Sequence, residues 1–437
     1  NLPVLKNAKL GMEPTPALLG VGFILGPRIG GIMVAGGLLS WIGIIPLISY
    51  FGENLNLPLF PEQTLPIAQM TAHEIWSRYV KLIGAGAVAV GGIITVFKSF
   101  PTMYNSLKIG IKEITQKKGD FVGETDRRQS DLPFKIIIIG VVIVIGILVL
   151  AAGVLGFETS LLIRLIASVC IVFFSFIFVT VSSRIVGLVG VTSNPTSGMT
   201  IVALLGTSVL FLALGWTDQI GMATALTCGT VVAVAASIAG DTSQDLKAGY
   251  IIGAAPRKQQ ISELIGVVTT AFAIAAAVWL LGEAFTFGSA TIPAPQAQLM
   301  KTVIEGVLGG DLPWGLVLIG GVFAIMAEML GIPSLPFAVG IYLPLSTMTP
   351  IYIGGMIRHF VTKKAKDDEK RESEVKEKGI LLGSGFIAGE GLAMVVVAGY
   401  AYITKSKPQG FGLDLGGFAA LAAFILLAGF LVYKTRK

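Results

Sequence analysis

Long apolar runs, separated by short polar gaps marked with Gly or Pro, organise the chain from residue 13 to its end. At about 1.5 Å per residue, roughly 20 residues cross a hydrocarbon core about 30 Å thick. Runs of that length predict crossings near 28–50, 72–98, 133–157, 161–186, 197–215, 219–240, 262–283, 313–331, 347–363, 378–402 and 415–434. Two shorter pieces, 13–27 and 332–346, are punctuated by Pro and Gly and read as half-helices or re-entrant segments, which survive at membrane depth only when buried in protein. The pattern predicts an all-α polytopic membrane protein with 11–13 crossings, organised as one transmembrane domain over 1–437.

Composition supports that class. Hydrophobic residues are 54% and charged residues only 13%, about half the charged share of a soluble domain, and the mean hydropathy is +0.81. An ordinary soluble enzyme is excluded. Gly occurs 55 times, which suits helices that pack closely in lipid. Cys170 and Cys228 both sit in apolar runs, so they read as buried filler, with no disulfide framework, no metal site and no cofactor implied.

The net charge of +6 does not point to nucleic acid, because the basic residues collect in the loops after alternate spans, on one side. Loops 98–135 and 364–378 collect most of them and are expected to be cytoplasmic, in a plasma (inner) membrane. Within the first loop, 99–117 suggests an interfacial helix, and 364–378 reads as a solvated linker or helix extension. The chain begins without an initiator Met or a signal peptide, so further N-terminal spans are expected.

Two self-matches mark further segments. Pro16-ALLGVGFIL aligns with Pro336-FAVGIYLPL, pairing Gly20 with Gly340 at an offset of 320 in opposite directions, as inverted repeats would. Gly190, Gly198 and Gly206 match Gly383, Gly391 and Gly399 at an offset of 193. One duplication cannot produce both.

Candidate chemistry lies where helix breakers meet polar groups. Around Asn194-Pro195, the groups of Ser193, Asn194, Thr196 and Ser197 offer either caps for the next helix or a substrate-facing hairpin. The Gly-rich stretch 383–391 reads as a second break and contains Glu390; Glu328 closes another span. Acids at membrane depth are proton-relay candidates, the alternative being an interfacial acid that pairs with a Lys. A third segment, 331–345, carries Pro333, Pro336 and Pro344 with Ser334 and Tyr342 as polar handles. Arg28, after Pro27 and among Gly26, Gly30 and Gly31, is an anchor or a partner inside the bundle. Finally, 239–267 reads as a compact turn in which Asp241 or Thr242 caps a helix. Gln244, Asp245, Lys247, Arg257 and Lys258 complete that motif, and its charges would form a network or gate.

At those residues the sequence resembles the oligopeptide transporter family, which includes the yellow-stripe-like metal-chelate carriers. The resemblance rests on GDTSQDLKAGYIIGAAPRKQQ at 240–260, SNPTSGMT at 193–200, LGVGFILGPRIGGIMVAGGLLSW at 19–41, TIPAPQAQLM at 291–300 and LPFAVGIYLPL at 335–345. It implies proton-coupled uptake of small peptides or metal chelates through two inverted halves, with further spans ahead of this chain.

The expected function is a symporter, not an enzyme, in which 193–199, 333–344 and Glu390 line a central cavity and Glu390 or Glu328 couples protons. Its partners would be substrate, protons and lipid, with room for a homodimer. A passive channel and an intramembrane hydrolase are the rivals. His73 and His359 are the only histidines, and neither is placed for a catalytic pair at bilayer depth.

Overall fold

The computed structural model describes residues 5–115, 131–151, 153–155, 158–190, 194, 196–289, 292, 294–310, 313–363, 368–405 and 416–436. The chain opens with α1 (Pro16–Leu25), α2 (Pro27–Leu38), a π-helical turn (Leu39–Ile44) and α3 (Ile45–Phe51). There follow α4 (Ala72–Ile75), a second π-helical turn (Trp76–Val80), α5 (Lys81–Thr115), α6 (Phe134–Leu150), α7 (Leu161–Val189) and α8 (Thr196–Ala213). The remaining helices are α9 (Gln219–Ile252), α10 (Pro256–Ala284), α11 (Pro295–Leu308), α12 (Trp314–Met329), α13 (Ser334–Tyr342), α14 (Leu345–Lys363), α15 (Glu369–Thr404) and α16 (Gly416–Arg436). Among the described residues, eight stretches are long and apolar enough to cross a membrane, and α1, α6 and α12 add three shorter apolar helices. The chain is an all-α polytopic membrane protein.

Each predicted crossing contains a helix, and local chemistry explains where the helices break. In α geometry the Pro46 ring would collide with the Ile42 carbonyl. The π turn before it widens the helix, with the Ile45 amide bonded back to Ser40. Gly26 at φ +85° ends α1, and Leu343, extended before Pro344, ends α13. Both short pieces read from the sequence are therefore short helices.

Two local expectations are corrected and one is met. Segment 99–115 is no separate interfacial helix, because α5 runs through it and through Pro101. The second half of 364–378 is the helix extension that the sequence allowed, since α15 starts at Glu369 with Asp368 accepting from the Lys370 and Arg371 amides. The Gly-rich stretch 383–391 is unbroken: α15 passes straight through it. Gly383 meets the backbone of Gly20, whereas a Cβ at Gly385, Gly389 or Gly391 would meet nothing within 4 Å.

The chain divides into two compact units, Asn1–Gly91, Ala276–Pro295 and Pro313–Lys437 in one, Gly92–Ala275 and Gln296–Leu312 in the other. In the first, Leu19, Phe23, Val361, Val375, Phe424 and Leu431 form a core among α1, α14, α15 and α16. In the second, α7, α8 and α9 pack through Phe178, Val181, Met199, Ala203, Val232 and Ala236. Helix α10 carries no buried residue, though it is strongly apolar, the pattern of a surface meant for lipid.

Within the first unit, α1–α2 and α13–α14 are related by an internal two-fold at an offset of 318, because both pairs of helices begin that far apart. Four contacts at glycines repeat under it. A Cβ at Gly22 would strike the Ile351 carbonyl and one at Gly340 the Met33 carbonyl. A Cβ at Gly354 would strike the Leu19 carbonyl and one at Gly36 the Phe337 carbonyl. Adding or subtracting 318 converts each pair into its mate. Helices α2 and α14 are themselves mates and run antiparallel, since Gly37 meets Leu345 while Gly355 meets Pro27. The axis is therefore perpendicular to them, the geometry of an inverted repeat. The register differs by two residues from the 320 read off the sequence: packing against a carbonyl pairs Gly22, not Gly20, with Gly340.

Candidate functional site

Both half-helices are held at each end by side chains or backbone groups of their neighbours. At the start of α1, the Ala17 amide donates to Glu390 Oε2 at 2.7 Å, while the Thr15 hydroxyl accepts from the Leu18 amide at 3.4 Å. At its end, Arg358 Nη1 donates to the carbonyls of Phe23 (3.3 Å) and Ile24 (2.7 Å). A carboxylate at the positive end and a guanidinium at the negative end both complement the helix dipole. Glu390 and Arg358 are each half-buried, which limits solvent screening.

Glu13 lies near this start, in the segment before α1 and outside the spans. Burial, and after it the neighbouring Glu390 charge, hold its carboxyl above the ordinary carboxylate range. Its backbone ties the segment to the start of α14, the Glu13 amide donating to the Ser346 carbonyl at 2.9 Å.

At α13 the acid comes from the preceding helix. Glu328 Oε2 accepts from the Ser334 hydroxyl at 2.7 Å and from the Ser334 amide at 3.4 Å. The two-fold also reaches the far end, because Ser40 lies 318 before Arg358 and its hydroxyl donates to the Ile341 carbonyl at 3.1 Å. Ile341 is the mate of Phe23. The two copies thus place a donor on the same carbonyl, a cation in one and a hydroxyl in the other. Ser334 and Tyr342 are both buried, so the structure joins Glu328 to Ser334 and places Tyr342 at the opposite end of α13.

In the second unit, Ser193 lies outside the described residues. Asn194 is half-buried and its Nδ2 donates to the Ala236 carbonyl at 3.4 Å, which the Ser182 hydroxyl also reaches. A Cβ at Gly240 would press on the Asn194 amide, so Asn194 and the start of the GDTSQ motif are neighbours. Thr196 and Ser197 open α8; the Thr196 carbonyl accepts from the Thr200 hydroxyl at 2.8 Å, and Ser197 is exposed.

The GDTSQ motif is not the turn the sequence suggested. Asp241, Thr242, Gln244, Asp245 and Lys247 lie inside α9, whose helical run ends only at Gly253, φ +81°, before Pro256 opens α10. Asp241 and Thr242 therefore cap nothing. Among the described residues no ion pair joins Asp241, Asp245, Lys247, Arg257 and Lys258, all of them exposed. Amides do that work instead. Gln259 Nε2 donates to the Asp245 carbonyl at 3.1 Å. Gln260 bonds Asp131 Oδ1 at 3.2 Å and accepts from the Leu132 amide at 2.8 Å, and the Ser183 and Ser243 hydroxyls meet at 2.6 Å.

Sequence reasoning missed Arg358, Glu13, Gln259 and Gln260 as site residues. Arg358 carried a usable signal, a lone cation between apolar residues in GGMIRHF rather than in the basic loop beyond it. Among the described residues, no group of three His, Cys, Asp or Glu side chains is placed to hold a metal.

Residues 2–401 match the family model described as OPT oligopeptide transporter protein. A putative oligopeptide transporter of Haemophilus influenzae is 28% identical, covering 98% of this chain and 73% of its own. The probable metal-nicotianamine transporter YSL11 of Oryza sativa subsp. japonica is 23% identical over 90% of this chain and 57% of its own length. The putative oligopeptide transporter YGL114W of Saccharomyces cerevisiae is 28% identical over 38% of this chain and 25% of its own. The chain thus spans little more than half the length of the rice relative.

Proposed function

We propose that this chain, which belongs to the OPT oligopeptide transporter family, is a proton-coupled carrier of oligopeptides or metal chelates that works by alternating access. The observation that carries this reading is the pair of half-helices in an inverted repeat, each with a glutamate at its N-terminus. Two antiparallel copies of one packing unit are what a carrier needs to open alternately to opposite sides. The cargo classes are those printed for the relatives, oligopeptides and metal-nicotianamine.

In this reading the ionised Glu390 accepts from the Ala17 amide and keeps α1 closed against α15. A proton on Glu390 removes the charge that complements the helix start, weakens that hold and lets α1 shift. Glu328 acts in the same way on α13 through Ser334. Ser334 and Tyr342, and separately Ser193, Asn194, Thr196 and Ser197, supply polar contacts to substrate. The 240–258 motif keeps the α9–α10 hairpin rigid while the carrier moves. The protein works in the plasma membrane with its basic loops on the cytoplasmic side.

The test is uptake into vesicles holding the purified chain. Saturable, acid-stimulated accumulation of a tripeptide or a ferric chelate is expected, and Glu390→Gln should remove the acid stimulation. Flux that only runs downhill and never saturates would mean a channel.

A further inference from the structure

Trp41, Trp76, Lys81 and Tyr342 gather at the C-terminal end of α13, within the first unit. The two indoles stack with centroids 6.3 Å apart. Lys81 Nζ lies 5.9 Å from the centre of the Trp76 ring and 5.8 Å from that of Tyr342. Each tryptophan belongs to one of the two π-helical turns, a geometry that concentrates at functional sites. The Ser40 hydroxyl, next to Trp41, pins the Ile341 carbonyl, next to Tyr342.

Hydrogen bonding sets this group apart. Trp41 is 5% exposed and Tyr342 3%. Trp41 Nε1, Trp76 Nε1 and the Tyr342 hydroxyl are all buried with no hydrogen-bond partner among the described residues. An unpaired buried donor costs about 1–3 kcal/mol, and three in one cluster are more than packing explains. An aromatic belt at a membrane surface would leave the indole N–H groups wet; here they are dry.

We propose that this cluster binds a carboxylate group of the transported solute, the Lys81 ammonium neutralising its charge while the two indole N–H groups and the phenol O–H donate to its oxygens. The proposal rests on the transport reading and narrows it. A carboxylate only accepts hydrogen bonds, which matches a cluster whose unpartnered groups are two indole N–H donors and a phenol O–H that can donate. Peptides carry one at their C-terminus, and amino-carboxylate chelators carry several. Trp76 and Lys81, both half-buried, form the entrance; Trp41 and Tyr342 lie inside.

Calorimetric titration of the purified full chain with trialanine and with trialanine amide tests this. The native protein should bind the free acid about tenfold more tightly, the worth of a charge-assisted hydrogen bond. Lys81→Gln and Tyr342→Phe should each erase most of that preference, Lys81→Arg should keep it, and size-exclusion profiles should stay unchanged. Equal affinity for the two peptides, binding of neither, or a preference untouched by Lys81→Gln and Tyr342→Phe overturns the proposal. Vesicle uptake by the same preparation separates the two readings. Saturable proton-driven uptake without carboxylate preference removes this inference alone, whereas no saturable uptake of either peptide or of a ferric chelate removes the transport reading as well.

Discussion

Glu390 and Arg358 hold opposite ends of the same ten-residue helix, one accepting from the Ala17 amide and the other donating to the Phe23 and Ile24 carbonyls. They come from different helices, α15 and α14. So short a helix is marginal by itself, and α1 is held in place from both of these neighbours.

Arg358→Met should destabilise the protein by about 2 kcal/mol, the usual worth of hydrogen bonds to a charged donor. Arg358→Lys should recover part of it, because an ammonium lacks the planar fork of the guanidinium. Thermal unfolding in detergent at fixed pH measures both.

Glu390→Gln and Glu390→Ala should separate capping from proton coupling. Gln keeps an oxygen for the Ala17 amide but not the charge, so it should melt slightly below the native protein and lose acid-stimulated uptake. Ala loses the acceptor too and should cost about 1 kcal/mol of stability. A native pH profile in Glu390→Gln would take this residue out of the mechanism.

The internal two-fold makes Gly22→Ala and Gly340→Ala equivalent, each driving a Cβ into a carbonyl of the opposite copy. Each should cost about 1–3 kcal/mol. Gly385→Ala, whose Cβ would meet nothing within 4 Å, should be neutral or stabilising by up to about 1 kcal/mol through helix propensity. Similar melting points for Gly22→Ala and Gly385→Ala would contradict the repeat contacts.

Ser334→Ala should cost about 1 kcal/mol by removing the hydroxyl that Glu328 accepts from. Ser334→Asp should cost more, since it sets a second carboxylate beside the first. A melting point for Ser334→Asp at or above that of Ser334→Ala would show that Glu328 is not ionised there.

Much of this was legible in the sequence because membrane helices announce themselves by run length, and α1 and α13 by the Pro and Gly around them. Glu390 and Glu328 stood out as acids among apolar residues. What stayed hidden was non-local. Glu390 and Ala17 are 373 positions apart, and no periodicity connects them. The stretch 383–391 looked broken because glycine weakens helices in water; in place, Gly383 permits backbone contact with Gly20, and the helix carries Gly385, Gly389 and Gly391 with open space beside them. Asp241 and Thr242 looked like caps because their types favour that role, but the helix-forming residues around them carry α9 onward to Gly253. The repeat register was missed by two positions because identity of residue type outweighed what each residue touches.

The constant offset of 318 holds from Pro16 with Ser334 through Ser40 with Arg358. One added residue in either copy would turn everything beyond it by about 100° around its helix axis, swinging the glycines away from the carbonyls they clear. Insertions and deletions are therefore forbidden in these two stretches unless both change together, and length variation among relatives must fall elsewhere, in connections such as 52–71.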